Sequence, residues 1–314
     1  MLTGRDGKRL PDFMIVGAAR CGTTSLFRYL DAHPDVYMPE QKEPNYFAFS
    51  PAPWAAGHGK FGFSGKGKVT DYGDYCRLFA PASPTQVAGE ASITYLPLWR
   101  ETVTQIYGDY RTPRKVKIII MLRDPVDRAI SHYLTHKRAG VEDLVFEEAI
   151  TPTTVKRRLA SGYQITWDYL SLGLYSESVK SYLDNFDDVR VVDFRTFSAN
   201  TRFVVEEICR FLGVEGYCLM KTTRIHNRSG VERNRFMKQL NRLVFTHNPV
   251  RRICARSLPV EVKQQMLAIY SRYAFRECQP NRRVPENIER LYEEDQASLK
   301  HVLREHGSSV IRLA

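Results

Sequence analysis

The stretch from Phe13 to His33 constrains the fold more than any other. Phe13-Met14-Ile15-Val16 is an unbroken apolar run, GAARCGTTS follows it, and SLFRYLDAH then places Leu26, Phe27 and Leu30 on one helical face. A short apolar run without alternation predicts a strand buried on both faces, as in a parallel sheet. Thr23 or Thr24 is the expected helix cap, and His33-Pro34 the expected end. A second run, Val116–Leu122, meets RDPVDRAISHYLTHKR, with Pro125 in the first turn of a helix. A third, Val189–Phe194, precedes a helix over 203–212 that stops at Gly213. Further helical patterns cover 174–184, 232–246, 260–275 and 286–305. Apolar strands alternating with helices predict an α/β chain, a three-layer fold with a central parallel sheet flanked by helices. Ligands of such sheets sit beyond the carboxyl ends of the strands.

With 314 residues, 43% of them hydrophobic, the chain can fill the core of a single domain over 1–314. Residues 1–11 read as an N-terminal tail. Residues 50–70, rich in Gly, Pro and Lys with Trp54, Phe61 and Phe63, read as a mobile loop, either a lid or an insertion without a role. No apolar stretch approaches the roughly 18–20 residues of a membrane-spanning helix, and the N-terminus lacks the apolar core of a signal peptide. The expectation is a soluble, cytoplasmic protein. The six cysteines are scattered, without a CxxC pair or a His at zinc spacing, so no metal site is expected.

Residues 221–314 read as a basic helical C-terminal part. From Lys221 to Arg283 there are 15 basic and 3 acidic side chains, a net of +12. Such a segment is either a solvated basic surface or an attractor of anions.

The turn at Gly17–Ser25 joins a strand end, glycines and a helix N-terminus, and that combination binds anions through backbone N–H groups and the helix dipole. Thr23, Thr24 and Ser25 add hydroxyls. The spacing is close to GxxxxGK[ST], but Thr23 stands where that pattern has Lys, and the cation comes earlier, at Arg20. An ordinary magnesium-nucleotide site therefore fits poorly.

FMIVGAARCGTTSLFRYLDAHP resembles the 5′-phosphosulfate loop of sulfotransferases that use 3′-phosphoadenosine 5′-phosphosulfate (PAPS). RDPVDRAISHY resembles their 3′-phosphate motif, and PEQKEPNYF and GEASITYLP resemble segments of the heparan sulfate sulfotransferase group and its bacterial relatives. The resemblance covers about residues 12–215. It implies a P-loop-like, nucleotide-binding transferase. By the same resemblance Arg20, Cys21, Gly22, Thr23, Thr24 and Ser25 would bind the 5′-phosphosulfate, Arg123 and Ser131 the 3′-phosphate, and Glu43 would be the general base, with Arg20 stabilising the leaving phosphate. Asn227, Arg228 and Ser229 fall where relatives place a loop that closes over the 3′-phosphate, and Tyr175 where relatives shape the pocket. Three departures stand out: Arg20 for the usual Lys, Asn45 for a frequent His, and Ala91 for a frequent Lys.

The residue types suit that chemistry. In-line transfer needs cations around the leaving phosphate, a planar fork for a second phosphate, and a carboxylate to take a hydroxyl proton. The implied acceptor is a hydroxyl, of a glycan or of a small molecule, with an amine as a lesser option. His132 and His136, on the helix of Ser131, read as structural or acceptor-facing. The rival readings are a P-loop kinase or NTPase, opposed by the absent GK pair, and a basic nucleic-acid binder, which shows no reader motif.

Overall fold

The three apolar runs become three adjacent strands at the centre of one sheet. The computed structural model describes residues 1–50, 69–214, 231–232, 275–276, 284–307 and 310–311. Its strands are β1 (Leu2–Thr3), β2 (Arg9–Leu10), β3 (Phe13–Gly17), β4 (Val36–Tyr37), β5 (Val87–Ala91), β6 (Lys117–Leu122), β7 (Val189–Asp193), β8 (Val231–Glu232), β9 (Phe275–Arg276) and β10 (Val310–Ile311). Six of them form a sheet in the order β10-β7-β6-β3-β5-β4, with every neighbouring pair parallel. Phe13, Met14, Ile15 and Val16 of β3 are fully buried, as are Ile118, Ile119, Ile120 and Met121 of β6. Burial on both faces is the reason these strands read as continuous apolar runs.

The flanking helices include α1 (Thr23–Asp31), α2 (Tyr46–Phe49), α3 (Tyr72–Arg77), α4 (Trp99–Asp109), α5 (Pro125–Arg138), α6 (Phe146–Ala149), α7 (Pro152–Ala160), α8 (Ser176–Asn185), α9 (Phe194–Ala199), α10 (Thr201–Leu212) and α11 (Glu286–Glu305). α1 packs on β3, β4 and β5 and against α10; α8 packs against α4 and α11. Asp295 of α11 accepts the backbone N–H groups of Tyr175 and Ser176 at 2.8 and 3.1 Å, which caps the start of α8 from another element. A second hydrophobic cluster, with Ile130, Tyr133, Phe146, Trp167, Tyr169 and Tyr292, joins α5 to α6 and α11.

The order of strands locates the site. From β3 the chain builds one flank of the sheet through β4 and β5, then crosses to β6, β7 and β10 on the other. The connections leaving β3 and β6 diverge, and a crevice opens between the carboxyl ends of such a pair.

Three expectations change. The residue before α1 is Gly22, at φ 87°, and no side chain caps that helix; Thr23 is its first residue. Residues 1–11 are a hairpin rather than a tail, β1 pairing antiparallel with β2, and Asp12 just beyond accepts the Leu2 N–H at 2.6 Å. β5 was absent from the sequence reading. The helical patterns at 232–246 and 260–275 lie almost entirely outside the described residues, as does loop 51–68.

Candidate active site

The loop between β3 and α1 is built by backbone geometry. Arg20 and Gly22 both take positive φ, 67° and 87°. Gly22 has a second reason to lack a side chain, because a Cβ there would lie 3.0 Å from the Phe194 ring and 3.1 Å from that of Phe197. Gly22→Ala is accordingly expected to cost roughly 1–3 kcal/mol in urea unfolding, from the left-handed backbone and the crowding together. An unchanged unfolding midpoint would show that the loop has another way to turn. Thr23 is buried, Thr24 and Ser25 are half-buried, and Ser25 N–H closes the first turn on Gly22 O at 2.9 Å.

Arg20, Arg123 and Ser131 arrive from three elements at one place. The Arg20 Nε donates to Ser131 Oγ at 3.3 Å, and Arg123 Nη1 donates to the Arg20 carbonyl at 3.4 Å. Arg123 follows β6, its guanidinium lies 4.9 Å from the centre of the Phe194 ring, and its own carbonyl accepts from the buried Tyr175 hydroxyl at 3.1 Å. Tyr175 thus braces the strand end that carries Arg123. Burial and the charges of Arg138, Arg123 and Arg128 hold Arg20 below its ordinary value. Arg20 and Arg123 meet a hydroxyl, a carbonyl and a ring, and among the described residues no carboxylate pairs with either. A concentration of cations without counter-charge is a site for a polyanion.

Cys21 sits in the same loop, but its side chain is fully buried and burial pushes the thiol up to about 11. What it contributes to the loop is shape and a backbone bond to Ala18 O at 3.3 Å.

Glu43 stands at the end of the neighbouring strand. Its N–H donates to Ala91 O at 3.2 Å, and Ala91 pairs with Ile15 of β3. Its carboxylate accepts from Lys42 Nζ at 2.6 Å, so a cation already lies beside it. Glu43 and Asn45 both have positive φ, 59° and 57°, on either side of Pro44. The Asn45 amide donates to Glu43 O at 2.5 Å, which puts Asn45 in the role of holding the turn.

Sequence reasoning missed Glu90. This carboxylate is fully buried on β5 and accepts from Tyr75, Ser92 and Tyr95 at 2.5, 2.8 and 2.8 Å. Burial, with a smaller push from Glu43, raises it to about 7 despite those three bonds. GEASITYLP contains the signal, a Glu in an otherwise small and apolar segment.

His132 and His136 are structural. His132 is buried beside Arg128, and His136 stacks on Trp167 and bonds the Tyr169 hydroxyl at 2.7 Å. Burial lowers His136 to about 4, so it stays neutral near pH 7. Asn227, Arg228 and Ser229 lie outside the described residues. Among the described residues no group of His, Cys, Asp and Glu could hold a metal, and no helix is long and apolar enough to cross a membrane.

Residues 111–247 match the sulfotransferase domain family, a span that contains Arg123 and Ser131. A crystal structure of a sulfotransferase from Alicyclobacillus acidocaldarius superposes with a TM-score of 0.65 at 28% identity, covering 94% of this chain and 96% of that one. The chain is similar to the sulfotransferases over these spans. Among curated relatives, human heparan sulfate glucosamine 3-O-sulfotransferase 3B1 is 26% identical over 187 residues, 59% of this chain and 40% of its own length. Human carbohydrate sulfotransferase 15 is 24% identical over 253 residues, 65% of this chain and 44% of its own. The chain therefore spans about two fifths of the length of the curated relatives it matches.

Proposed function

We propose that this chain, as a single sulfotransferase domain, moves the sulfuryl group of PAPS in line to a hydroxyl of a glycan or small-molecule acceptor, with Glu43 as general base. The observation that carries the reading is the meeting of Arg20, Arg123 and Ser131 beyond the carboxyl ends of β3 and β6. This donor set fits a nucleotide with phosphates at both ends, since two guanidinium groups, a helix N-terminus and a hydroxyl converge without a carboxylate partner among the described residues.

PAPS supplies the activated sulfuryl group and a phosphate leaving group. Arg20 and the α1 N-terminus hold the 5′ end and offset the negative charge that grows on the bridging oxygen. Arg20 stays protonated at neutral pH, so its part is electrostatic. Arg123 and Ser131 hold the 3′-phosphate and fix the register of the nucleotide. Glu43 takes the acceptor proton as the new bond forms. Asn227, Arg228 and Ser229 are assigned to the closure over the 3′-phosphate by resemblance alone. The printed names of the curated relatives, heparan sulfate and carbohydrate sulfotransferases, support a sugar hydroxyl as the first acceptor to assay.

Calorimetric titration tests the reading. The desulfonated product 3′,5′-ADP is expected to bind tightly without metal, while ATP with magnesium and a random oligonucleotide bind weakly. Tight binding of ATP-magnesium alone would transfer the chain to phosphoryl chemistry. Tight, salt-sensitive binding of the oligonucleotide alone would make it a nucleic-acid protein.

A further inference from the structure

Glu90 has no place in the transfer step itself, yet it is a fully buried carboxylate at the end of the strand beside the phosphate loop. Its two oxygens lead to the turn that carries Glu43 by separate routes. Glu90 Oε2 accepts from Ser92 Oγ at 2.8 Å, and that hydroxyl accepts the Asn45 N–H at 3.1 Å. Glu90 Oε1 accepts from the Tyr95 hydroxyl at 2.8 Å, which accepts the Phe47 N–H at 3.4 Å. Asn45 and Phe47 begin α2, immediately after Glu43 and Pro44. Asn45 closes the link: its amide donates to Glu43 O, and its own carbonyl oxygen accepts from Thr94 Oγ1 at 2.6 Å.

Resting on the sulfotransferase reading, we propose that Glu90 is a positioning residue that, through the Ser92 and Tyr95 hydroxyls, holds the Glu43 turn in its strained backbone conformation. An ionised carboxylate, which carries no proton of its own, lets both hydroxyls donate inward and leaves their lone pairs to the two N–H groups. That arrangement is specified by charge rather than by shape. Two departures into positive φ at non-glycine residues, one on either side of Pro44, persist only where surrounding bonds over-determine them, and these relays supply the bonds.

The groups facing Glu90 can be named from each element around it. They are Tyr75 of α3, Ser92 and Tyr95 after β5, Tyr110 after α4, Tyr182 of α8, and Glu43 itself. Burial holds all four tyrosines well above their ordinary value, so they remain neutral phenols. Glu90, raised to about 7, is then the group among these whose shift places its charge change near neutrality. As pH falls through that value the carboxyl gains a proton that competes with the inward-donating hydroxyls, both relays weaken, and the turn loosens.

The test uses Ser92→Ala, Ser92→Thr and Glu90→Gln in the full chain. Single-turnover transfer from sulfuryl-labelled PAPS to a heparan sulfate oligosaccharide and a panel of small alcohols is followed beside 3′,5′-ADP titration. Ser92→Ala is expected to lower kcat about tenfold with KM for PAPS and the Kd for 3′,5′-ADP within about twofold, since it removes one buried bond of the order of a kcal/mol from the turn alone. Ser92→Thr, which keeps the hydroxyl, restores most of the rate. Glu90→Gln, which keeps the volume, is expected to lose the fall in kcat that wild type shows as pH drops through about 7. Full kcat in Ser92→Ala, an equal loss of kcat and donor affinity, or a Glu90→Gln profile that superposes on wild type would each overturn the positioning role. A wild-type chain that transfers nothing to any acceptor would sink the sulfotransferase reading first, and this inference with it.

Discussion

Glu43→Gln is expected to lower sulfuryl transfer at least about a hundredfold, with 3′,5′-ADP bound as tightly as by wild type. General base catalysis contributes about a hundred- to ten-thousandfold, and an amide cannot accept the acceptor proton. The substitution is close to isosteric. It leaves the backbone bond from residue 43 to Ala91 O in place, and the Asn45 amide still holds the turn. The ion pair with Lys42 is lost, but both partners are partly exposed, about a quarter or less of each side chain, so the effect on stability is small. Donor affinity should survive because Arg20 and Arg123 take their contacts from Ser131, the loop backbone and Phe194, while Glu43 takes its own from Lys42, Ala91 and Asn45. Single-turnover kinetics with labelled PAPS separate chemistry from product release. Unchanged turnover would remove Glu43 from the mechanism, and a matching loss of donor affinity would make it part of the nucleotide site.

The parts of this molecule that the sequence displays are those whose reason is local. β3, β6 and β7 are legible as apolar runs, and α10 ends at Gly213, which takes φ 80°. The β3–α1 loop is legible as glycines between a strand and a helix. β5 is not, because its residues, VAGEA, have neither a β-branched run nor alternation. The reason for its composition lies elsewhere in the chain: a Cβ at Gly89 would come within 2.1 Å of the Phe13 ring, so the strand is thinned to fit β3. Glu90 is tolerated in the core only because Tyr75, Ser92 and Tyr95 converge on it, and Tyr75 comes from a helix that precedes the strand. The cap of α1 fell to Gly22 instead of a threonine because the turn needs a positive φ, a demand of the loop rather than of the helix. The hairpin at the N-terminus is likewise invisible locally, since Asp12 ties it down by accepting from Leu2 on one side and from the Ala88 N–H of β5, at 2.9 Å, on the other.

Arg123→Ala is expected to weaken 3′,5′-ADP by about ten- to a few-hundredfold, the equivalent of roughly 1.5–3 kcal/mol for hydrogen bonds to a charged group, while 5′-AMP changes by less than about threefold. The difference between the two nucleotides is one phosphate, so the ratio of the two losses reports where the guanidinium points. Arg123 also donates to the Arg20 carbonyl, and its removal could slacken the loop that would hold the 5′ end. Arg20 stays protonated with or without its neighbour and keeps its own bond to Ser131 Oγ, so the 5′ end retains its cation and little net change is expected for 5′-AMP. Arg123→Lys separates charge from geometry in the 3′-phosphate contact, because it keeps the charge and gives up the planar fork. That variant should recover part of the 3′,5′-ADP affinity and none of the geometry, with kcat lower than its affinity alone would give. Equal losses for both nucleotides in Arg123→Ala would place the guanidinium at the 5′ end, or make it a brace of the loop, and the assignment of the two ends of the site would have to be reversed.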